Sequence, residues 1–439
     1  RERGWGEGRM PPTAQALTPA GAAAAPRTLT AYALFGLPLA MTALPVNLLL
    51  PDFYAAQTQL ALPVIGAILL ATRLIDAVAD PLLGTWVDAQ KTRGNYLWPI
   101  LLAAPVLAMS FWLLFNPSEG LATPARQGAW LFVTLTGAYL GYSLAMVAYQ
   151  AWGAELAHDD AGRTRITTAR EAAGLIGVLL GGTLPAAIGY AGMTWSLVLL
   201  LGAGLWLLAL RAPRAPAARG LPAGGNPYLA FLEPVRHGNT RWLLAVFALN
   251  ALAPSITATV FIFFVTDRLG LADRAPLFLA LYCLAGAAGM PLWARLAQRF
   301  SLHALWLAGM VAAVVAFVWA SALPPGALAG FAAICVLSGL AFGADLALPP
   351  ALLARVIDTN GHSGQREGAY FGLWNFVNKL VLAVAAALAL AALDALGYTR
   401  GATDAAALHA LAITYAVVPC LLKLVAAALL LAAWRGRKF

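Results

Sequence analysis

Charge is what this sequence has least of. Only 11% of its 439 residues are Asp, Glu, Lys or Arg, while 61% are hydrophobic. A water-soluble domain carries roughly a quarter of its residues as charges, so these polar side chains are too few to cover a water-facing surface. A soluble enzyme and a solvated binding module are both excluded. Cysteine is scarce as well: Cys283, Cys335 and Cys420 fall in three separate apolar runs without CxxC spacing, and read as small packing groups rather than bridge or metal ligands. The five histidines are scattered, with no HExxH or other paired-ligand spacing. No GxSxG stands with a His and an Asp, and no phosphate loop appears, so nothing here points to an enzyme or an organic cofactor.

What is present is apolar length. Runs of about 20 residues, long enough for a hydrocarbon core of about 30 Å, recur twelve times, at 29–55, 59–88, 96–116, 128–156, 170–190, 192–211, 241–266, 276–298, 303–323, 327–357, 368–393 and 405–434. Their length, their Leu and Ala content and the need to satisfy backbone groups in lipid make them helices. The expected fold class is an all-α polytopic membrane protein. Of the 28 Lys and Arg, only Arg126, Arg268, Arg274 and Arg400 fall in loops on one side, and Arg73, Lys379 and Lys423 fall within spans. All others gather on the opposite side, which the positive-inside bias makes cytoplasmic, with both termini. The net charge of +9 therefore reports orientation in a bilayer, not nucleic-acid binding.

The organisation is bipartite. Residues 1–26 read as a disordered tail rich in Ala, Pro and Gly, with Met10 a candidate initiator and no signal-peptide apolar core. A bundle at 27–210, a polar cytoplasmic loop at 211–240, a second bundle at 241–434 and a short tail at 435–439 follow. REAAGLIGVL opens the fifth run at Arg170 and REGAYFGLWNF the eleventh at Arg366. Parallel six-helix repeats about an axis normal to the membrane describe major facilitator transporters.

Three ionisable groups then demand an explanation, in the stretch TRLIDAVADPLLGTWVDAQKTRG that begins at Thr72. Arg73, Asp76 and Asp80 are spaced i, i+3 and i+7 and share one helix face. At 1.5 Å per residue Asp80 lies about 12 Å above the cytoplasmic boundary and Arg73 about 22 Å, while Lys379, on the eleventh run, stands about 13 Å in. A lone charge at the bilayer centre costs about 2.5–3.5 kcal/mol or more, so these four are expected to face a polar cavity and one another. Two carboxylates offer hard oxygens to Na⁺, or hold a proton. An alternative is a static Arg73–Asp76 brace.

Other polar groups carry weaker signals. Tyr149, Trp152, Asn250, Trp374, Asn375 and Asn378 are expected as cavity groups, with plain packing the alternative. Asp345 and Glu155 read as cavity or gate groups or as local ion-pair partners, and Lys423 as snorkelling towards an interface. Gly84, Asp88 and Arg93 form GxxxDxxxxRG after the second run: Gly84 admits a neighbouring helix, and Asp88 caps that helix or pairs with an Arg. Arg163, Arg165 and Arg170, beside Asp159 and Asp160, fit the same latch or a solvated loop face.

At RLIDAVADPLLGTWVD with TRGNYLWPI, YQAWGAELAHDDAGRTRITTAREAAGLIG and REGAYFGLWNFVNKL, the chain resembles the glycoside–pentoside–hexuronide:cation symporters of the major facilitator superfamily, the melibiose-permease group. The resemblance spans nearly all twelve runs. It implies that Asp76 and Asp80 bind the coupling cation, Na⁺ or H⁺, that Arg73 organises them, that Lys379 balances their charge, and that Asp88 and Arg93 belong to the superfamily's loop motif. It implies a monomeric symporter of a sugar-like solute in a plasma membrane, the bacterial inner membrane, working by alternating access. The first run, YALFGLPLAMTALP, lacks the acid that grips sugar in that permease, and the fourth has Met146 or Ala148 at the matching place. A related branch that carries lysophospholipids with sodium makes an amphiphile the alternative substrate. A non-transporting scaffold or sensor is the reading from a different class.

Overall fold

Prolines break the first apolar run into pieces. In the computed structural model, which describes residues 26–60, 62–91, 96–118, 123–157, 159–211, 232–398 and 401–438, this run comprises α1 (Pro26–Leu34), α2 (Gly36–Met41), a π-helical turn at Pro45–Leu49 and α3 (Leu50–Gln57). Pro38, Pro45 and Pro51 each lack the N–H that a continuous helix needs. The single helix expected over 29–55 is thus one crossing made of segments.

α4 (Leu62–Lys91) runs on through Pro81. Its Leu70, Leu74, Val78 and Leu82 form an exposed apolar stripe, each one turn from the next. Asp76 and Asp80, at 2% and 0% exposure, occupy the opposite face. Lipid therefore meets hydrocarbon on this helix, and the acids point into the protein. α5 (Leu97–Phe115) and α6 (Pro124–Glu155) follow. The side chain of Thr123 accepts from the Arg126 amide at 3.4 Å, which starts α6 ahead of the expected 128.

The next helical stretch, α7 (Asp160–Arg211), holds two crossings that meet at Gly189, whose φ of 73° and ψ of 172° are non-helical. Only a residue without a Cβ adopts that conformation at little cost. On the way out Gly177 packs on Leu37 and Gly181 on Met41, and on the return Gly204 packs on Phe35, so the chain reverses at Gly189. The first crossing starts at Asp160, not at the expected 170, because the Asp159 carboxylate accepts from the Gly162 amide at 3.1 Å.

The second half comprises α8 (Glu233–Arg236), α9 (Gly238–Phe263), α10 (Ala275–Leu296), α11 (Leu302–Phe317), α12 (Leu328–Thr359), α13 (Glu367–Ala395), α14 (Ala405–Ala412) and α15 (Val418–Arg435). A π-helical turn at Ile413–Val417 joins α14 to α15 in one crossing. Among the described residues ten helical stretches are long and apolar enough to cross a membrane; α7 is one of them and supplies two crossings, and the thirty residues of α4 bring the count there to twelve.

Among the described residues, one of three apolar clusters is shared by both halves. It includes Tyr32, Val87, Tyr96 and Trp152 from the first half and Leu243, Trp306, Tyr370 and Phe371 from the second. Phe53, Phe111 and Leu131 belong to a cluster of the first half, and Phe264, Phe331 and Tyr415 to one of the second. Where the halves meet, α4 and α13 touch backbone to backbone. A Cβ on Gly84 would lie 2.1 Å from the Gly368 carbonyl oxygen, and one on Gly372 2.5 Å from that of Asp80.

Candidate functional site

Between the halves lies a cavity of about 250 Å³. From the first half α6 contributes Tyr142, Ser143, Met146 and Gln150, and α7 contributes Arg170 and Glu171. Facing them are Phe247 of α9, Asp345 of α12, and Trp374, Asn375, Asn378 and Lys379 of α13. Ser143, Met146 and Gln150 follow i, i+3, i+7 spacing and share a face. The Trp374 ring stacks on Phe247 with centroids 3.6 Å apart, giving the cavity one flat aromatic wall.

Asp76 and Asp80 reach this cavity through two of its lining residues, Lys379 and Ser143. Lys379 Nζ is 2.6 Å from Asp76 Oδ2 and 2.8 Å from Asp80 Oδ2. It also donates to Ser143 Oγ at 2.8 Å, and Ser143 in turn donates to Asp76 Oδ1 at 2.6 Å. Two carboxylates, one ammonium and one hydroxyl from α4, α6 and α13 thus form a single cluster that joins the halves. Neither carboxylate oxygen of Asp80 receives a hydrogen bond among the described residues, although both are buried. The Lys379 contact meets the distance of an ion pair but not the direction of a hydrogen bond, so Asp80 keeps lone pairs free. One lysine leaves a surplus negative charge here.

Arg73 stands apart from the cluster. It bonds the side-chain oxygen of Asn47 and sits over the Tyr139 ring, 5.8 Å from its centroid. Among the described residues Asp76 and Asp80 pair with Lys379, so the static Arg73–Asp76 brace is not what the structure holds. The second half has its own buried pair. Lys423 Nζ lies 2.6 Å from Asp345 Oδ2 and donates to Asn250 Oδ1 at 2.8 Å, and Trp306 and Asn250 donate to Asp345 Oδ1 at 3.0 and 2.9 Å.

Several expectations need correction. Tyr149 and Trp152 do not line the cavity; on α6 they lie on the face turned from Ser143 and Gln150. There the Tyr149 hydroxyl donates to the Tyr32 carbonyl at 2.6 Å and Trp152 packs edge-on against the Tyr32 ring. Asn250 does not line it either, because it is held between Lys423 and Asp345. Lys423 does not snorkel: it is 6% exposed and satisfied inside the bundle. Arg165 is exposed and forms no ion pair among the described residues. Trp374, Asn375, Asn378 and Asp345 are cavity groups. Ser143, Gln150 and Glu171 are the groups that reading the sequence missed, though Ser143 shares the depth of Asp76 and Glu171 sits in the repeated Arg-Glu dipeptide.

The closed end of the cavity carries the gate residues. Asp88 caps α13, accepting from the amides of Gly368 and Ala369 at 2.6 and 2.8 Å, where the helix dipole favours a negative charge. Arg163 reaches Asp358 at 3.3 Å, and Arg355 reaches Asp160 at 3.0 Å, two ion pairs between the halves. Tyr96 donates to Glu155 and lies 3.4 Å from Glu367, while Asn375 donates to Gln150 at 3.0 Å. Arg93 lies outside the described residues.

Comparison with known proteins agrees with this architecture. The family described as MFS/sugar transport protein matches residues 30–432. The glucuronide carrier protein homolog of Escherichia coli (strain K12) is 24% identical over 400 residues, 85% of this chain and 84% of that one. The uncharacterized symporter YjmB of Bacillus subtilis (strain 168) is 29% identical over 109 residues, 24% of this chain and 23% of that one. The crystal structure of the Escherichia coli fucose:proton symporter superposes with a TM-score of 0.65 at 14% identity, over 91% of this chain and 98% of that one, a likeness of fold. The chain therefore belongs to the MFS/sugar transport protein family, and it is a multi-pass membrane transporter rather than an enzyme.

Proposed function

We propose that the protein is a cation-coupled symporter of a small, anionic sugar-like solute. The observation that carries this reading is the cluster in which Lys379 of one half pairs with both Asp76 and Asp80 of the other. Na⁺ or H⁺ entering at the free oxygens of Asp80 competes with Lys379 for the acids. The displaced ammonium then turns to the cavity, where a carboxylate-bearing solute accepts it. Cation and solute thus bind better together than apart, which is what coupling requires. Hard oxygen ligands from two carboxylates and a hydroxyl suit Na⁺, and a buried carboxylate pair also suits a proton.

The cavity supports a sugar over the amphiphile. Gln150, Asn375 and Asn378 supply directional hydrogen bonds, the Phe247–Trp374 wall supplies a face for a ring, and Lys379 supplies the cation for an acidic substituent, while Arg170 is paired with Glu171 at 2.6 Å. The glucuronide named for the Escherichia coli relative has this chemistry. The excess of Lys and Arg at the Asp88 end supports cytoplasmic termini in a bacterial inner membrane, so the cavity faces outwards in this state. A monomer suffices, since one chain supplies every group.

The test is uptake of a labelled glucuronide into proteoliposomes under an inward Na⁺ gradient, an inward H⁺ gradient, or neither. Uptake is expected to accumulate with one gradient and to lose that accumulation in Asp76→Asn and Asp80→Asn. Accumulation at the native level in both variants rejects the coupling assignment. Absence of flux for every sugar, uronide and lysolipid tried favours a scaffold or sensor.

A further inference from the structure

Away from the cavity, folding assembles a second set of donors. Glu233, His237 and His362 each offer one ligand atom, and these three atoms lie within 4.8 Å of one another, all half-buried. Glu233 is the first residue of α8, His237 sits at the non-helical junction between α8 and α9, and His362 lies in the turn between α12 and α13. The two imidazoles meet edge to face with centroids 5.0 Å apart. His362 Nδ1 is 2.9 Å from the Tyr370 hydroxyl, and Asn360 donates to the same oxygen at 2.8 Å.

We propose that Glu233, His237 and His362 form a binding site for a divalent transition-metal ion of the Zn²⁺ class. Two imidazoles and a carboxylate are a ligand set that zinc uses with one position left to water. Donors about 2.0–2.1 Å from a tetrahedral ion stand about 3.3 Å apart, so the three atoms, within 4.8 Å of one another, close in by up to about 1.5 Å on binding. In this arrangement His362 Nδ1–H donates to Tyr370 and Nε2 faces the ion, the outer-shell bond that fixes a ligating imidazole. Tyr370 is a positioning residue. Arg236, which holds Glu233 Oε2 at 3.2 Å and is itself exposed, gives way to the ion at small loss.

The place of the site has a consequence for the gate. The turn that carries His362 lies between Asp358, which pairs with Arg163, and Glu367, which faces Tyr96. An ion there ties that turn to the foot of α9, where Asn239 already donates to Asn360 at 2.6 Å. The second half of the gate then moves as one piece with α9.

The probe is Zn²⁺ itself, titrated into the tag-free full-length protein in detergent, with bound metal counted after dialysis and Co²⁺ absorption reporting coordination. One Zn²⁺ per chain and a tetrahedral Co²⁺ spectrum are expected. Glu233→Gln, His237→Gln and His362→Gln should each weaken binding at least tenfold, and Tyr370→Phe about ten- to a hundredfold. His409→Gln, exposed on α14, should bind as the native protein does. A His237→Gln/His362→Gln protein that melts like the native chain without metal yet still takes up Zn²⁺ with native affinity overturns the proposal, as does failure of the native chain to bind it. The readout needs no transport, so it stands or falls apart from the proposed function.

Discussion

At the scale of single residues, two lysines in lipid-spanning helices have opposite settings. Lys379 faces two acids and the cavity; Lys423 faces one acid and a fixed shell. Truncating one partner of a buried pair leaves a bare charge and costs about 3–5 kcal/mol. Lys379→Met is therefore expected to lower the melting temperature, and Asp76→Asn with Asp80→Asn added to it should recover stability while gradient-driven accumulation stays lost. In the second half, Lys423→Met should destabilise by a similar amount and Asp345→Asn/Lys423→Met should recover, but here cation dependence of uptake persists. Melting curves and paired uptake assays check both. The difference in legibility has a physical cause. Depth counted at 1.5 Å per residue put Lys379 level with Asp80, since α4 and α13 are unbroken between boundary and site. Depth says nothing of what holds Lys423: its partners Asp345 and Asn250 come from α12 and α9, and only folding brings them beside α15.

At the scale of elements, helix phase decides which neighbours share a task. Arg163 and Arg165 stand two apart on α7, so they point to nearly opposite sides; one meets Asp358 and the other meets solvent. The apolar runs were legible as helices, since lipid demands long apolar helices; most of the connection expected at 211–240 lies outside the described residues. Segment ends were not legible, because they rest on local caps such as Thr123 and Asp159. The Arg-Glu repeat shows the limit of such reading: Arg366 precedes α13 at the gate, whereas Arg170 lies well inside α7 at the cavity, since Asp159 starts that helix early. The seam between α4 and α13 is the element most sensitive to bulk. Gly84→Val or Gly372→Val should drive the two helices apart at about 1–3 kcal/mol, seen as a lower melting temperature together with lost uptake.

At the scale of the molecule, two ion pairs and a helix cap join the halves at one end, the latch expected of the proposed transporter. The three cysteines are buried, so Met146→Cys gives a reporter in the cavity with a quiet background. A thiol reagent that cannot cross the membrane should label it from the side opposite Asp88. Arg163→Glu should slow that labelling by about fivefold, the worth of a partly exposed pair near 1 kcal/mol, and Arg163→Glu/Asp358→Arg should restore it. Unchanged labelling in the single variant would remove Arg163 from the latch. The glycine contact between α4 and α13 sets how such a latch can release. At Gly84 and Gly372 backbone lies on backbone, so at these points the two surfaces part by a lift rather than by unthreading. The barrier lies around them, in the apolar cluster that the halves share and in the polar bonds at the rim, where one exchanged charge retunes it.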